Sequence, residues 1–223
     1  MQVPKLQTVF FTVVVLLFAK VFVSVLLGYV DYFPPSFGKG FLVGRSDYFF
    51  GVYQYAFYAH LVFGPLALVL GTILISSGRR WIHSKWINHR KLGRVQAIVV
   101  ILGVVPTGIV MAWPSFIGMQ AGMGLLILAL LTGLFMLIAV VKAMKHDFDA
   151  HQIWATRCYV LLLSPLILRI ANGALIVSGL QTDWLLSLNN WISWLVPMLI
   201  YEYRHFQTAS IVEKPGHTLK GAI

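Results

Sequence analysis

The sequence predicts an all-α membrane protein, a single bundle of about six transmembrane helices. Hydrophobic residues make up 59% of the chain, charged residues make up 11%, and the mean hydropathy is +0.82. Soluble domains carry about 25% charged residues. Several apolar runs exceed the roughly 18 residues that can cross a hydrocarbon core. The Lys and Arg residues gather in short segments between these runs, as is typical of multispan proteins.

We expect a cytoplasmic tail over residues 1–7, the bundle over 8–204 and a second tail over 205–223. The first apolar run is too long for a signal-peptide core and lacks a small-residue cleavage pattern, so we interpret it as a span. Pro and Gly breakers after it indicate an outside loop. The predicted spans are Thr8–Val30, Phe50–Ser76, Gly93–Trp113, Gly118–Val141, Ile153–Leu180 and Trp184–Tyr203.

Two features inside the spans predict close packing or bending. Small residues share one helix face with His60 at Gly64, Ala67 and Gly71, and such a face admits a neighbouring helix or a flat ligand. Pro106 predicts a kink in the third span, because proline removes a helix hydrogen bond. The sixth span carries no charged residue between Asp183 and Glu202.

One basic segment sets the expected orientation. Residues 79–94 hold six of the 17 Lys and Arg residues, and thirteen of the 17 fall on the same predicted side. The positive-inside rule therefore predicts an inner-membrane protein with both termini in the cytoplasm. The net charge of +10 lies in short loops, so we exclude nucleic acid as a partner. Membrane lipids are expected partners, and a membrane protein or a second copy is left open.

Three cations lie inside spans, and each is a candidate for function. Lys20, His60 and Arg169 are about 13–17 Å from the outer ends of their helices. Ionisable groups at such depth are costly. Because no Asp or Glu lies in the middle of a span, a haem propionate, a quinone oxygen, an anionic lipid or an anionic substrate would supply the counter-charge. The structural alternatives are snorkelling of Lys20, carbonyl bonding by Arg169 and a hydroxyl partner for His60.

A second group of candidates lies at the inner surface. His89 and His151 each precede a span, and Arg90 and Arg94 lie one helical turn apart, a good spacing for phosphates or propionates. Imidazoles on neighbouring helices are common ligands of haem iron and divalent metals. We therefore predict His60, His89 and His151 as metal or haem ligands. The alternative for the inner group is a belt on anionic lipid headgroups.

Other sites receive little support from the sequence. The lone Cys158 cannot form an internal disulfide or a multi-cysteine metal site. Arg157 with Asp149 or Glu202 is expected to be a structural ion pair. The chain has no glycine-rich phosphate loop and no paired carboxylates placed for hydrolysis. Whether the protein is an enzyme stays open.

A set of short motifs resembles a bacterial membrane family, domain-of-unknown-function family 2306. The resemblance covers about Phe57 to Glu202. It is carried by His60, His89-Arg90-x-x-Gly93-Arg94, His151-x-x-Trp154-x-x-Arg157, Arg169, and a closing span with Trp191, Trp194, Pro197 and Glu202. Gln152 stands where the family often carries Arg. The resemblance implies a membrane fold and a functional set within these motif residues, but no activity.

The leading hypothesis is a membrane redox component that binds haem b or quinone. Histidines His60, His89 and His151 would be ligands, and Lys20, Arg90, Arg94 and Arg169 would bind anionic groups. A weaker similarity to four-helix b-type cytochromes departs at His60, which has no second intramembrane His and would need Met111 or Met119 as axial ligand. The alternatives are a transporter or lipid-binding protein, and an accessory subunit that docks through Gly64, Ala67, Gly71, Gly118 and Gly122.

Overall fold

The computed structural model describes residues 6–77, 89–114 and 118–212, and nearly all of them are helical. The described helices pack side by side in a bundle. The helices are α1 (Leu6–Leu27), α2 (Ser46–Phe49), α3 (Val52–Ser77), α4 (His89–Ile98), α5 (Val105–Ala112), α6 (Met119–Met144), α7 (Phe148–Val177) and α8 (Asp183–Val212). A π-helical stretch, Val99–Val104, joins α4 to α5, and 3-10 turns occupy Gly28–Asp31 and Gly40–Leu42.

The predicted all-α membrane bundle is confirmed. Within the described ranges, five helical stretches are long and apolar enough to cross a bilayer: Thr8–Asp31, Val52–Ser76, His89–Ala112, Met119–Met144 and Phe148–Val177. The sixth predicted span corresponds to α8, which is 30 residues long but less apolar than the other five. Asn189, Asn190 and Ser193 lower its hydropathy, and all three are buried against the rest of the bundle. The helix also continues to Val212, into the segment predicted as a tail.

The helices on the basic side begin earlier than predicted. Helix α4 starts at His89, so His89, Arg90 and Arg94 belong to its first turns and not to a loop. Helix α7 starts at Phe148, and the Asp147 carboxylate caps it by accepting the Ala150 N–H at 3.3 Å. His151 is therefore also helical. The predicted loop cations from Arg79 to Lys85 lie outside the described residues.

The third span bends through a change in helix type. Pro106 has no N–H, and a proline ring in a regular helix collides with the carbonyl four residues earlier. The π-helical stretch before Pro106 widens this turn, and the Val105 N–H bonds to the Val100 carbonyl, five residues back. The predicted kink at Pro106 is thus a wide turn within one continuous helix from His89 to Ala112.

Small residues bring the helices into contact. A Cβ at Gly103 would lie 2.5 Å from the Phe63 ring, one at Gly71 would lie 2.9 Å from the Tyr159 ring, and one at Gly124 would lie 3.0 Å from Trp191 Nε1. Ala67 is fully buried. The face of α3 that carries Ala67 and Gly71 is therefore filled by helices of the same chain.

Helix α1 lies at the periphery. Its tertiary contacts are with α7, and its apolar side chains remain largely exposed, including Phe10, Phe11 and Leu16. In a membrane-spanning helix such a surface faces acyl chains, so lipid contact follows directly. Helices α6 and α7 have the most extensive contact with each other and form the centre of the bundle.

The two ends of the bundle differ in composition. At the end we name the aromatic end, Tyr32, Leu42, Phe49, Tyr53 and Phe57 form a buried cluster. Rings pack edge-to-face and stacked, for example Tyr32 on Phe57 with centroids 5.1 Å apart. The opposite end, which we name the basic end, carries His89, Arg90, Arg94, Lys142 and Lys145.

Candidate functional site

His60 lies on α3 in the half of the bundle nearer the aromatic end. Its Nδ1 is 2.8 Å from Thr107 Oγ1 on α5. The ring lies beside two glycines: a Cβ at Gly64 would be 3.8 Å from Nε2, and one at Gly108 would be 3.8 Å from Cε1. The absence of side chains at both positions leaves space along two edges of the imidazole. The structural alternative for His60 named a hydroxyl partner, and the structure contains one, Thr107.

Arg169 lies on α7 near the same position. Its guanidinium is within electrostatic range of His60 and of the Tyr29 and Tyr32 phenol groups. The side chain is exposed at the surface of the bundle. Among the described residues, Arg169 forms no hydrogen bond or ion pair. Its charge therefore has no carboxylate to balance it within that part of the chain.

Tyr29 and Tyr32 complete this group of residues. The Tyr29 hydroxyl donates to the Leu61 carbonyl at 2.8 Å, directly beside His60. The Tyr58 hydroxyl donates to the Tyr32 carbonyl at 2.9 Å and so ties the Gly28–Asp31 turn to α3. Sequence reasoning did not single out Tyr29 or Tyr32 as site residues. The available signal was an aromatic pair directly after a span, which composition alone assigns to the interface.

Lys20 is not brought into this group. Its side chain is exposed on α1 and makes no hydrogen bond or ion pair with a described residue. The groups that influence Arg169 electrostatically are Tyr29, Tyr32 and His60. Of the three predicted intramembrane cations, the structure therefore places only His60 and Arg169 within electrostatic range of each other. We refer to His60, Arg169, Tyr29 and Tyr32, together with Gly64 and Gly108, as the His60 groove.

The basic end holds a second pair of histidines. His151 Nδ1 lies 2.8 Å from the Ala139 carbonyl oxygen on α6, and since a carbonyl can only accept, Nδ1 carries the proton. His89 is within electrostatic range of His151. Arg90 and Arg94 are exposed on α4. This geometry suits either a ligand-binding pair or a headgroup-contacting belt.

Arg157 forms the structural ion pair that the sequence suggested. Its Nε and NH2 groups donate to the two carboxylate oxygens of Glu202 at 2.6 and 2.7 Å. The guanidinium also lies over the Trp154 ring, 4.3 Å from its centroid. Of the two predicted partners, Glu202 rather than Asp149 makes this pair.

The three histidines predicted as metal ligands do not meet. Thr107, which contacts His60, follows His89 by 18 residues in one continuous helix, a separation of about 27 Å along the axis. Within the described residues, no group of three or more His, Cys, Asp or Glu side chains is placed to hold a metal ion. One ion cannot be ligated by His60, His89 and His151 together, and ligation at separate sites stays a prediction.

A cavity of about 420 Å³ lies between α7 and α8 at the basic end. Its lining is formed by Asp149, Gln152, Ile153, Thr156, Tyr201 and His205. It is separate from the His60 groove, which lies toward the other end of α7.

Comparison with known proteins places the chain in a family. The sequence profile of the family described as "Predicted membrane protein (DUF2306)" matches residues 57–204, about two thirds of the chain. The chain belongs to this family. No curated protein matches it, and no solved structure matches it.

The family match covers only part of the His60 groove. The DUF2306 region contains His60, Thr107 and Arg169, and it also contains both histidines of the basic end. Lys20, Tyr29 and Tyr32 precede it. This DUF2306 protein therefore builds one wall of its groove from residues before the matched region. The family description supports membrane location and assigns no ligand or activity.

Proposed function

We propose that this protein is a membrane redox component that binds a quinone in the His60 groove. The observation that carries the proposal is that His60 lies within electrostatic range of Arg169, whose charge has no carboxylate partner among the described residues. A quinone headgroup is a flat ring with oxygens on opposite edges. Arg169 would donate to one oxygen, and the imidazole would lie at the opposite oxygen, which becomes a hydroxyl group when the ring is reduced to the quinol.

The surroundings of the two residues support a flat ligand. Gly64 and Gly108 leave space at the edges of the imidazole, and Tyr29 and Tyr32 offer aromatic faces and hydroxyl groups nearby. Ligand sites of this type are mostly apolar, with a few convergent polar groups. An uncompensated arginine in a low-dielectric region is costly unless a ligand or water supplies hydrogen-bond acceptors.

Haem b is the second form of the same proposal. An imidazole whose Nδ1 is held by a protein oxygen presents Nε2 to iron, and His60 and His151 both have Nδ1 on such an oxygen. Arg169 would bind a propionate at one end of the bundle. Arg90 and Arg94 would do so at the other, with Lys20 as a further cation on α1.

A different class of function rests on Arg169 alone. An anionic lipid or an anionic transported substrate would also neutralise the guanidinium, without any redox chemistry. This candidate predicts binding of phosphate- or carboxylate-bearing molecules and no chromophore. The accessory-subunit alternative receives less support, since Ala67, Gly71 and Gly122 are buried within this chain and do not present a free docking face.

The deciding experiment is a visible spectrum of the detergent-purified protein, oxidised and then reduced with dithionite, followed by organic extraction and quinone quantification. A near-stoichiometric quinone with a flat visible spectrum supports the quinone proposal. A Soret band that shifts on reduction supports haem b. Tightly held anionic lipid with neither chromophore nor quinone overturns the redox proposal and supports the second class.

The same extraction on variants locates the ligand. His60→Ala and Arg169→Ala should each lower the retained ligand severalfold. Thr156→Val is a control on the same helix, because Thr156 lies at the other end of α7, where its hydroxyl bonds to the Gln152 carbonyl and contacts Tyr201. Unchanged ligand content in both groove variants would move the site elsewhere.

We also propose that both termini face the cytoplasm of an inner membrane. The support is the concentration of Lys and Arg at the basic end, where the positive-inside rule places the cytoplasm. A reporter fused after Lys220 should be active only in its cytoplasmic form. Activity of a periplasmic reporter at the same position would invert the topology.

A further inference from the structure

Three polar atoms lie within hydrogen-bond distance of the Thr107 hydroxyl group. Its Oγ1 lies 2.6 Å from the Gly103 carbonyl oxygen, 3.1 Å from the Val104 carbonyl oxygen and 2.8 Å from His60 Nδ1. A threonine hydroxyl has a single proton to donate. Which of these three atoms receives that proton decides the protonation pattern of the imidazole.

The shortest contact settles the direction of donation. A carbonyl oxygen can only accept, so two oxygens 2.6 Å apart require that the Thr107 proton lies between them. The hydroxyl oxygen is then an acceptor toward His60. The Nδ1 atom must donate, and it therefore carries a hydrogen.

The charge state of His60 follows from its neighbours. A doubly protonated imidazole would place a second positive charge within electrostatic range of Arg169, and no described carboxylate pairs with that guanidinium. Like charges at close range in a low-dielectric region are strongly unfavourable. His60 is therefore neutral, with hydrogen on Nδ1 and a lone pair on Nε2.

Thr107 lies just after the π-helical stretch and Pro106. The Val105 N–H bonds five residues back to Val100. Pro106 supplies no N–H, so the Leu102 carbonyl, four residues earlier, loses its regular helix partner. The Thr107 hydroxyl bonds to two of the carbonyls at the end of this stretch, Gly103 and Val104. π-Helical turns occur often at functional sites.

We propose that Thr107 is a positioning residue that fixes His60 in the Nδ1–H form and presents Nε2 to the groove as a hydrogen-bond acceptor. A lone pair on Nε2 accepts a hydrogen bond from a quinol O–H, whereas an oxidised quinone offers only acceptors. His60 thus recognises the reduced quinol form. This last step rests on the proposed quinone function, while the assignment of the proton to Nδ1 does not.

The test is nitrogen NMR of protein labelled with ¹⁵N-histidine in lipid nanodiscs, with the His60 signals identified by their loss in His60→Gln. Wild type and Thr107→Ser should show hydrogen on Nδ1. Thr107→Val keeps the branched shape but removes the hydroxyl, and it should populate the Nε2–H form. The matched control is Thr132→Val, because the Thr132 hydroxyl also bonds within its helix, to the Leu128 carbonyl, without touching a histidine.

Two outcomes overturn the assignment: hydrogen on Nε2 in wild type, or an unchanged signal in Thr107→Val. A separate titration with a decyl-substituted benzoquinol and its quinone tests the ligand. Thr107→Val should weaken quinol binding about fivefold, the loss of one ordinary hydrogen bond, and quinone binding less than twofold. If wild type shows Nδ1–H but binds neither molecule, the quinone function fails and the role of Thr107 stands.

Discussion

Helix α7 carries two arginines, one in an ion pair and one without a described partner. Arg157 and Arg169 lie 12 residues apart, about 18 Å along the helix. Arg157 binds both oxygens of Glu202 and covers the Trp154 ring. Arg169 has no described hydrogen bond or ion pair and lies near His60 and two tyrosines.

The difference separates a structural charge from one available to a ligand. Arg157 has its charge balanced and its donors used, so it ties α7 to α8 at the basic end. Arg169 keeps its donors free in a groove, where it costs stability in the absence of a ligand. Removing the two residues should therefore have opposite consequences for folding and for binding.

The largest expected effect is on ligand binding after Arg169→Gln. Loss of a charge-assisted hydrogen bond of about 1.5–3 kcal/mol lowers affinity roughly 10- to 100-fold. The Tm of the ligand-free protein should stay the same or rise, since an uncompensated charge is removed. Isothermal titration with the decyl benzoquinone and thermal unfolding in one detergent measure both quantities.

Arg169→Lys sharpens that result. It keeps the charge but loses the planar pair of donors, so it should bind more weakly than wild type and more tightly than Arg169→Gln. A fall in Tm for Arg169→Gln would assign a structural role to Arg169 and remove the contrast with Arg157.

The next effect is on stability after Glu202→Gln. Arg157 and Glu202 expose 18% and 38% of their side chains, so solvent screens the pair in part. We expect a loss of about 1–2 kcal/mol, below the cost of breaking a fully buried pair. Thermal unfolding measures the loss, and ligand affinity should not change.

A double-variant cycle tests whether the pair itself is the cause. Arg157→Gln combined with Glu202→Gln should be less destabilised than the sum of the two single variants, because neither charge is left alone. Strict additivity would mean that Arg157 stabilises α7 through Trp154 and not through Glu202.

A smaller effect is expected from adding a methyl group at two glycines, Gly64 in the groove and Gly103 between packed helices. A Cβ at Gly64 makes only ordinary contacts, 3.7 and 3.8 Å from His60, so Gly64→Ala should fold normally. The added methyl group narrows the groove beside Nε2 and should weaken quinol binding about threefold, or about 0.7 kcal/mol. Gly103→Ala, which would meet the Phe63 ring at 2.5 Å, should instead lower Tm. Equal affinity in Gly64→Ala and wild type would place the ligand away from that edge.

The smallest effect is the pH dependence of an exposed pair at the basic end. Lys142 bonds to the Asp147 carboxylate at 2.9 Å, and this bond, together with the Ala150 N–H, lowers the pKa of Asp147 below its ordinary value of 3.8. The ionised carboxylate therefore stabilises the fold above that pH, and the contribution is lost as pH falls through the lowered pKa. Asp147→Asn keeps a good helix cap but should flatten this acid-side slope in unfolding experiments. An unchanged slope would show that other groups control acid unfolding.

Much of the arrangement was predictable because it depends on local composition. Apolar runs defined the spans, and single residues such as Pro106 marked the bend. The start of α4 at His89 was missed, because polar residues at the end of a spanning helix look like a loop in a hydropathy pattern. In helix α8 the hydropathy pattern misleads in the other direction. Its asparagines lower the hydropathy, but they are buried inside the bundle, and Asn189 donates to Asn172 on α7 at 2.6 Å.

The candidate site was only half predictable. His60 and Arg169 stood out because ionisable residues are rare inside apolar runs. Tyr29 and Thr107 did not stand out, since tyrosine near a span end and threonine within a helix are ordinary. Their roles depend on contacts between helices, Tyr29 with Leu61 and Thr107 with His60.

The sequence by itself determined the class of protein, its spans and the family motifs, because hydrophobicity and charge act residue by residue along the chain. Only the tertiary structure decided which cation is neutralised and which is left for a ligand. Arg157 and Arg169 look alike in the sequence. Packing brings α8 and Glu202 to the first and brings α3, Tyr29 and His60 to the second. That choice depends on which helices are neighbours, and composition does not encode neighbours directly.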